Sequence, residues 1–345
     1  MNRRDLAAVT PWITAAAVEA GAQLPARVME RLGIGRRAAL TLLRRLQAAQ
    51  WLVFEGTPGK GRMRGGVWRP GALRQVVQRY ALAGLQEDLP WSRDFAPHFM
   101  LPPEVARMAR HAFTELLNNA VDHSGGTQVT VSMRQTPLQL QLLVSDDGCG
   151  LFERIADAHA IADPTLAMLE LSKGKLTSQP DRHTGRGLFF SSRLADVFDL
   201  HANASAFQYR GWDHRGWFKS RPLARQGTSV YLAIALDTPR TLDAVLRAHS
   251  LDGDGYGFDR TVVPLRLLAD GDGGALDSRA LARRVAARLQ RFRRAELDFT
   301  GIGEIGHGFA DELFRVAAHD HPALQMVPVG AVPRVTAMID AVRGG

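Results

Sequence analysis

Three glycine-bearing turns that follow an amphipathic helix in fixed order constrain this chain more than its composition does. Ala106 to Asp122 has helical apolar spacing, and Glu115 and Asn119, at i and i+4, project from one face of it. A carboxylate beside an amide can orient water and complete the shell of Mg²⁺, which prefers oxygen ligands and keeps several waters when it binds phosphates. The same pair also suits a plain solvated helix face. Gln128 to Met133 and Leu138 to Ser145 alternate like strands and lead into Asp146-Asp147-Gly148-Cys149-Gly150. A carboxylate at a strand end, followed by two glycines, can read an exocyclic amine while the backbone passes close to a ring. It also makes an ordinary acidic turn. Thr184-Gly185-Arg186-Gly187-Leu188-Phe189 opens a helix predicted to run to about Asp199, its glycines exposing backbone N–H groups to phosphates. Gly227-Thr228-Ser229 precedes a strand over Val230 to Ala235.

Taken together, over about residues 95–237, these motifs resemble the GHKL ATP-binding fold of gyrase, the large heat-shock chaperone, histidine kinases and the mismatch-repair ATPase. Glu115-x-x-x-Asn119-Ala resembles its N box, Asp146-x-Gly148-x-Gly150 its G1 box, Gly185-x-Gly187-Leu188 its G2 box, and Gly227-Thr228 its closing G3 element. The resemblance implies ATP and Mg²⁺ as cofactors. Asn119 would hold the metal. Asp146 would accept a hydrogen bond from the adenine amino group, and Gly148 and Gly150 would let the base approach. Gly185, Arg186 and Gly187 would cradle phosphates, and Thr228 would hydrogen-bond Asp146 or a bridging water. Glu115 would be the general base, acting on water or on a hydroxyl nucleophile. Residues 151–184 would form the ATP lid, carrying Lys173, Lys175, Thr177, Ser178, Arg182 and His183. At least one of Lys173, Lys175 or Arg182 is expected on the γ-phosphate. The long helical hairpin that carries the phosphorylated histidine of sensor kinases has no room here, since only about 30 residues separate the basic N-terminal hairpin from the N-box helix, with His98 and His111 in this region. Histidine autophosphorylation is therefore not expected.

Charge singles out the N-terminal quarter. The net charge is +8, and residues 1–90 hold 14 Lys and Arg against 6 Asp and Glu, so the excess lies entirely there. A localised basic segment suits a nucleic-acid contact, or a solvated face in an arginine-biased protein. This segment reads helix (Thr14 to Glu19), helix (Pro25 to Leu32), a Gly33-Ile34-Gly35 turn and helix (Arg36 to Ala49), with Leu40, Leu43 and Leu46 on one face. A hairpin follows: Trp51 to Phe54, a Gly-rich basic tip over residues 56–66, and Val67 to Arg69. The pattern resembles the winged helix-turn-helix family over about residues 8–72, whose third helix enters the major groove of duplex DNA. By that resemblance Arg36, Arg37, Thr41, Arg44 and Arg45 face DNA, and Lys60, Arg62 and Arg64 form the wing. Winged helices also serve as protein-docking modules.

After a turn-rich Gly/Asp stretch at 250–257, the last piece alternates strands and helices as a small α/β layer. A strand is predicted over Arg260 to Leu268 and a helix over Asp277 to Arg294. Then follow a strand (Ala295 to Phe299), a helix (Glu304 to Ala318), a strand (Leu324 to Val329) and a helix (Val332 to Val342). Residues 297–313 resemble the STAS-like domain that follows GHKL modules in some bacterial regulators, and imply a protein partner. The phosphorylatable serine of anti-anti-sigma STAS domains is replaced by Gly306-His307-Gly308, which leaves Thr300 as the only nearby hydroxyl.

The expected fold class is α/β multidomain: winged helix (1–90), GHKL α/β sandwich (91–249) and STAS-like α/β domain (258–345). With 46% hydrophobic and 23% charged residues, wholesale disorder is excluded. The single cysteine, Cys149, excludes an intramolecular disulfide framework, and no apolar run of about 18 residues is free of charges and prolines. A cytoplasmic location without membrane contact is expected. Arg3 and Arg4 before an apolar stretch mimic a signal peptide, but Pro11 and Glu19 interrupt it. Three functions fit: an ATP-responsive DNA-binding regulator, a Ser/Thr protein kinase of the anti-sigma type, and an ATPase whose winged helix docks a protein.

Overall fold

The computed structural model of the chain describes residues 3–56, 58–59, 62–63, 66–176, 185–213, 216–252, 256–269 and 276–344. Helices Arg3–Ala20, Leu24–Leu32 and Arg36–Ala48 pack against an antiparallel pair of strands, Leu52–Glu55 with Val67–Pro70. Gly33 ends the second helix at φ +63°, a left-handed conformation that glycine adopts without strain. The third helix turns Ala39, Leu42, Leu43 and Leu46 inward against Ile13, Leu24, Val28 and Trp68. The buried stripe therefore runs through Leu42 and Leu43, and Leu40 is only half-buried.

Arg74–Ala81 is the edge strand of a seven-stranded antiparallel sheet. From the opposite edge the order is Trp217–Lys219, Ser205–Arg210, Val197–Ala202, Thr228–Ala235, Gln139–Asp146, Gln128–Gln135, Arg74–Ala81. The N-terminal helices are tied directly to this sheet, for the Gln75 N–H donates to Oγ1 of the fully buried Thr14 at 3.0 Å. The long helix Pro103–His123 lies across the sheet and buries Met108, Ala112, Phe113 and Leu117.

The helix opened at Gly187 ends at Leu194 rather than near Asp199. Ala195 is extended, and Phe198, Leu200 and Ala202 alternate inward as a strand paired with Thr228–Ala235. The C-terminal unit is a parallel sheet in the order Arg260–Pro264, Arg294–Asp298, Gln325–Val329. Its first strand stops at Pro264 and a 3-10 turn follows. The predicted 277–294 helix is shorter, Arg279–Ala286, because Arg288 turns left-handed (φ +64°) before the next strand. The chain is thus a mixed α/β protein with one large antiparallel sheet and a small C-terminal α/β domain. Among the described residues no helix is long and apolar enough to cross a membrane.

Candidate functional site

A cleft of about 300 Å³ opens between the long helix, the sheet and the loop before Gly187. Glu115, Asn119 and His123 stand at successive helical turns along one wall, as i, i+4 spacing requires. Asp146, at the end of its strand, lines the cleft with Gly150 and Thr228. Gly185, Arg186 and Gly187 complete the rim. Residues from all four sequence motifs therefore converge on one cavity.

Asp146 is buried, and its Oδ1 accepts backbone N–H groups of Gly148 (2.9 Å) and Thr228 (3.1 Å). With Oδ1 so engaged, Oδ2 is the oxygen left to accept a ligand N–H. Burial raises the Asp146 pKa above the ordinary aspartate value, opposed by those two N–H groups and by Arg225. Its neighbour differs. Asp147 accepts the N–H and hydroxyl of Thr127 and the N–H of Gln128, which hold it down to about 2. Asp147 is thus a structural carboxylate, and Asp146 the one available to a ligand.

The glycines answer to protein neighbours. A Cβ on Gly148 would run into the Ser124 carbonyl, and one on Gly150 (φ +94°) into Asn203. Gly227 (φ +90°) passes against the backbone of Asp146. Asn203 joins two of these turns, donating to the Cys149 carbonyl at 2.7 Å and accepting the Gly227 N–H at 2.9 Å. Arg225 donates to the Asp146 carbonyl at 2.8 Å and to the Ser145 hydroxyl. Neither Asn203 nor Arg225 belongs to a motif; a hairpin-turn asparagine and a loop arginine carry no distinguishing local pattern. Arg154 also lines the cleft, with Nε donating to the His123 carbonyl at 2.8 Å. No signal pointed to it, because residues 151–184 read as a lid and the helix Leu151–His159 that aims it at the cleft appears only in the fold. His111, one turn before Glu115, is held below the ordinary histidine pKa by burial, which Glu115 opposes.

Lys173 and Lys175, two of the predicted lid cations, bond outside the cleft lining. Residues 151–176 form helices Leu151–His159 and Pro164–Lys173 rather than a basic loop. Lys173 is 1% exposed, and its ammonium bonds Glu170 at 2.5 Å and the Ala287 carbonyl at 3.0 Å, away from the cleft. A lysine in a polar segment reads as solvated, whereas here the C-terminal domain covers it. The Lys175 ammonium donates to the Arg291 carbonyl at 2.6 Å. Thr177, Ser178, Arg182 and His183 lie outside the described residues, as do Lys60, Arg64 and the side chain of Arg62. Arg36, Arg37, Thr41, Arg44 and Arg45 are all exposed on the third helix, with the Thr41 hydroxyl donating to the Arg37 carbonyl at 2.9 Å.

Asn119 and Glu115 are among the side-chain oxygens that line the cleft, and among the described residues no three His, Cys, Asp or Glu side chains cluster as a metal site. A magnesium ion here would draw most of its shell from phosphates and water. Residues 82–206, which supply the helix, the Asp146 turn and the Gly185–Gly187 rim, match the family model of the histidine kinase-like ATPase domain. The chain carries a histidine kinase-like ATPase domain. In this ATPase domain the wall of Glu115 and Asn119 faces the Asp146 end across a single cavity. Residues 279–335 match a STAS-like domain of unknown function. No curated protein matches the chain.

Proposed function

We propose that the chain is an ATP-binding regulator that couples Mg-ATP at the ATPase cleft to duplex DNA held by the N-terminal helices. The observation that carries the nucleotide reading is Asp146. Its Oδ1 is satisfied by Gly148 and Thr228, and it sits at the cleft end with the geometry to accept an amino N–H. Asn119 would hold Mg²⁺, which neutralises phosphate charge. Gly185, Arg186 and Gly187 offer backbone N–H groups and a guanidinium to phosphates. Glu115 faces the same space and would take a proton from water or a hydroxyl. The DNA reading rests on the exposed Arg36, Arg37, Arg44 and Arg45 of a helix beside a two-stranded ladder, within the N-terminal quarter that holds 14 Lys and Arg against 6 Asp and Glu.

A second reading, protein kinase or ATPase with a docking module, is favoured by the joint placement of Glu115 and Asn119 on the cleft wall. Incubation with labelled ATP, with and without duplex DNA, followed by separation of phosphate from phosphoprotein, distinguishes the readings. DNA-dependent nucleotide turnover, or binding without transfer, supports the regulator. Label on a partner protein with no response to DNA supports the kinase. Titration of the full chain with duplex DNA at several salt concentrations should give a steep salt slope, reduced by about one unit in Arg37→Ala. No DNA affinity at low salt would overturn the DNA assignment.

A further inference from the structure

The helix Pro164–Lys173 belongs to two domains. Residues 167–174 are buried without interruption, which an exposed lid would not permit. On one side Leu171, with Leu176 just beyond the helix, lines the nucleotide cleft. Lys173, about 200° further round the helix, is plugged into the C-terminal domain. Its ammonium takes the Ala287 carbonyl at 3.0 Å and the Arg284 carbonyl at 3.4 Å, both at the C-terminal end of helix Arg279–Ala286. Such carbonyls lack helical partners, so a buried cation there completes the helix end. Glu170 neutralises that cation and also meets Arg288 at 3.4 Å. The Thr261 hydroxyl, wholly buried in the strand Arg260–Pro264, donates to the Lys173 carbonyl at 2.6 Å.

The grip continues into the rim. Lys175 is left-handed (φ +60°), and its N–H donates to the Gly185 carbonyl at 3.0 Å, tying the residue after the helix to the rim. Arg291 holds Lys175 from both sides: its carbonyl accepts the ammonium at 2.6 Å and its guanidinium donates to the Lys175 carbonyl at 3.1 Å. The ammonium also sits 4.2 Å from the Phe292 ring centroid. Phe189, from the helix that starts at Gly187, packs 4.8 Å from Phe258, the residue a side chain on Gly174 would strike.

We propose that the STAS-like domain and the helix Pro164–Lys173 form one rigid body, so that occupancy of the cleft and placement of the C-terminal domain are thermodynamically linked, with the Lys173–Glu170 plug and the Arg291–Lys175 clasp as the latch. This rests on the reading of the cleft as a nucleotide site. Linkage is reciprocal: a protein partner bound to the C-terminal domain shifts nucleotide affinity by the same factor as nucleotide shifts the partner's.

Hydrogen exchange of the full chain with and without Mg-ATP tests this. In the wild type, nucleotide slows exchange in the cleft peptides 115–124 and 146–155. It also slows peptides 260–268 and 279–291, by about fivefold or more, the lower end of ordinary coupling. Thr261→Val with Arg291→Ala, both on the C-terminal side, should keep cleft protection and lose most of the C-terminal protection. Arg291→Ala alone, at an exposed position, should reduce it partially and covers the case in which the double variant does not fold. Protection of the cleft alone in the wild type would overturn the linkage and leave the nucleotide site standing. Unchanged C-terminal protection in both variants would overturn the latch. No protection anywhere would overturn both the nucleotide reading and the linkage built on it.

Discussion

Gly187 lies so close to Glu115 that a Cβ on residue 187 would overlap the Glu115 carboxylate. The second glycine of the rim is thereby tied to the acid on the opposite wall: its missing side chain is the space in which Glu115 sits. Gly187→Ala should push the carboxylate out of place. We expect any turnover to fall by about 10²–10⁴, the usual share of general base catalysis. Nucleotide affinity should change by less than about tenfold, because the phosphate-facing N–H groups remain. Phosphate release and a fluorescent-nucleotide titration on one preparation separate the two effects.

Asp146→Asn should fold, since an amide oxygen can still accept the Gly148 and Thr228 N–H groups. It presents an NH₂ where an acceptor is needed, so nucleotide binding should weaken by about 1.5–3 kcal/mol. The wild type should also lose affinity on acidification. Burial raises the Asp146 pKa, so protonation begins above the ordinary aspartate range and removes the acceptor. For the unliganded fold the sign is opposite: this contribution is full below the ordinary pKa and is lost as pH rises through the raised one. Nucleotide titrations in mildly acidic buffers should show the fall in the wild type and a flat response in Asp146→Asn.

His249 sits among Phe189, Phe190 and Phe258, with Nδ1 3.2 Å from the Arg260 carbonyl. Burial, with Arg193 adding to it, pushes its pKa down to about 4. The unfolded chain takes up the proton near pH 6.5, so stability present above that value is lost as pH falls towards the folded pKa. The loss should reach about 3 kcal/mol. Thermal melts across this range should decline in the wild type and run flatter, from a lower start, in His249→Asn.

Lys173→Met leaves Glu170 buried beside the more distant Arg288 and strips a cation from two helix-end carbonyls. Breaking a buried pair from one side should cost about 3–5 kcal/mol, and adding Glu170→Gln should recover part of it. Urea unfolding of the single and double variants measures both numbers.

Glycine-bearing turns made the cleft legible. Asp146, Gly185, Gly187 and Thr228 are recognisable because they stand in ordered motifs whose spacing resembles the GHKL boxes. The reason for Gly148 and Gly150 was not legible, since the atoms that exclude a side chain belong to Ser124 and Asn203. Lys173 was misplaced for a tertiary reason. Glu170 is three residues away and visible, but Ala287 is 114 residues on, and only folding makes the two neighbours. The end of the helix at Leu194 did carry a local signal, the alternation of Phe198, Leu200 and Ala202. On the third helix, Leu42 and Leu43 both face inward where a single stripe through Leu40 was read. Two adjacent leucines leave the phase of such a face ambiguous by one residue.

The short step from Val67–Pro70 to Arg74–Ala81 leaves no seam in the chain. Three residues span roughly 10 Å at most, and the strand they lead into is already hydrogen-bonded along Gln128–Gln135. A cut made anywhere before residue 82 that removed the N-terminal helices together with this strand would bare a row of amide and carbonyl groups on Gln128–Gln135, an open invitation to another copy of the chain. The basic helices and the ATPase sheet are therefore joined both by three residues of chain and by the bond from Gln75 to Thr14, which ties the bearing of the helices to the edge of the sheet.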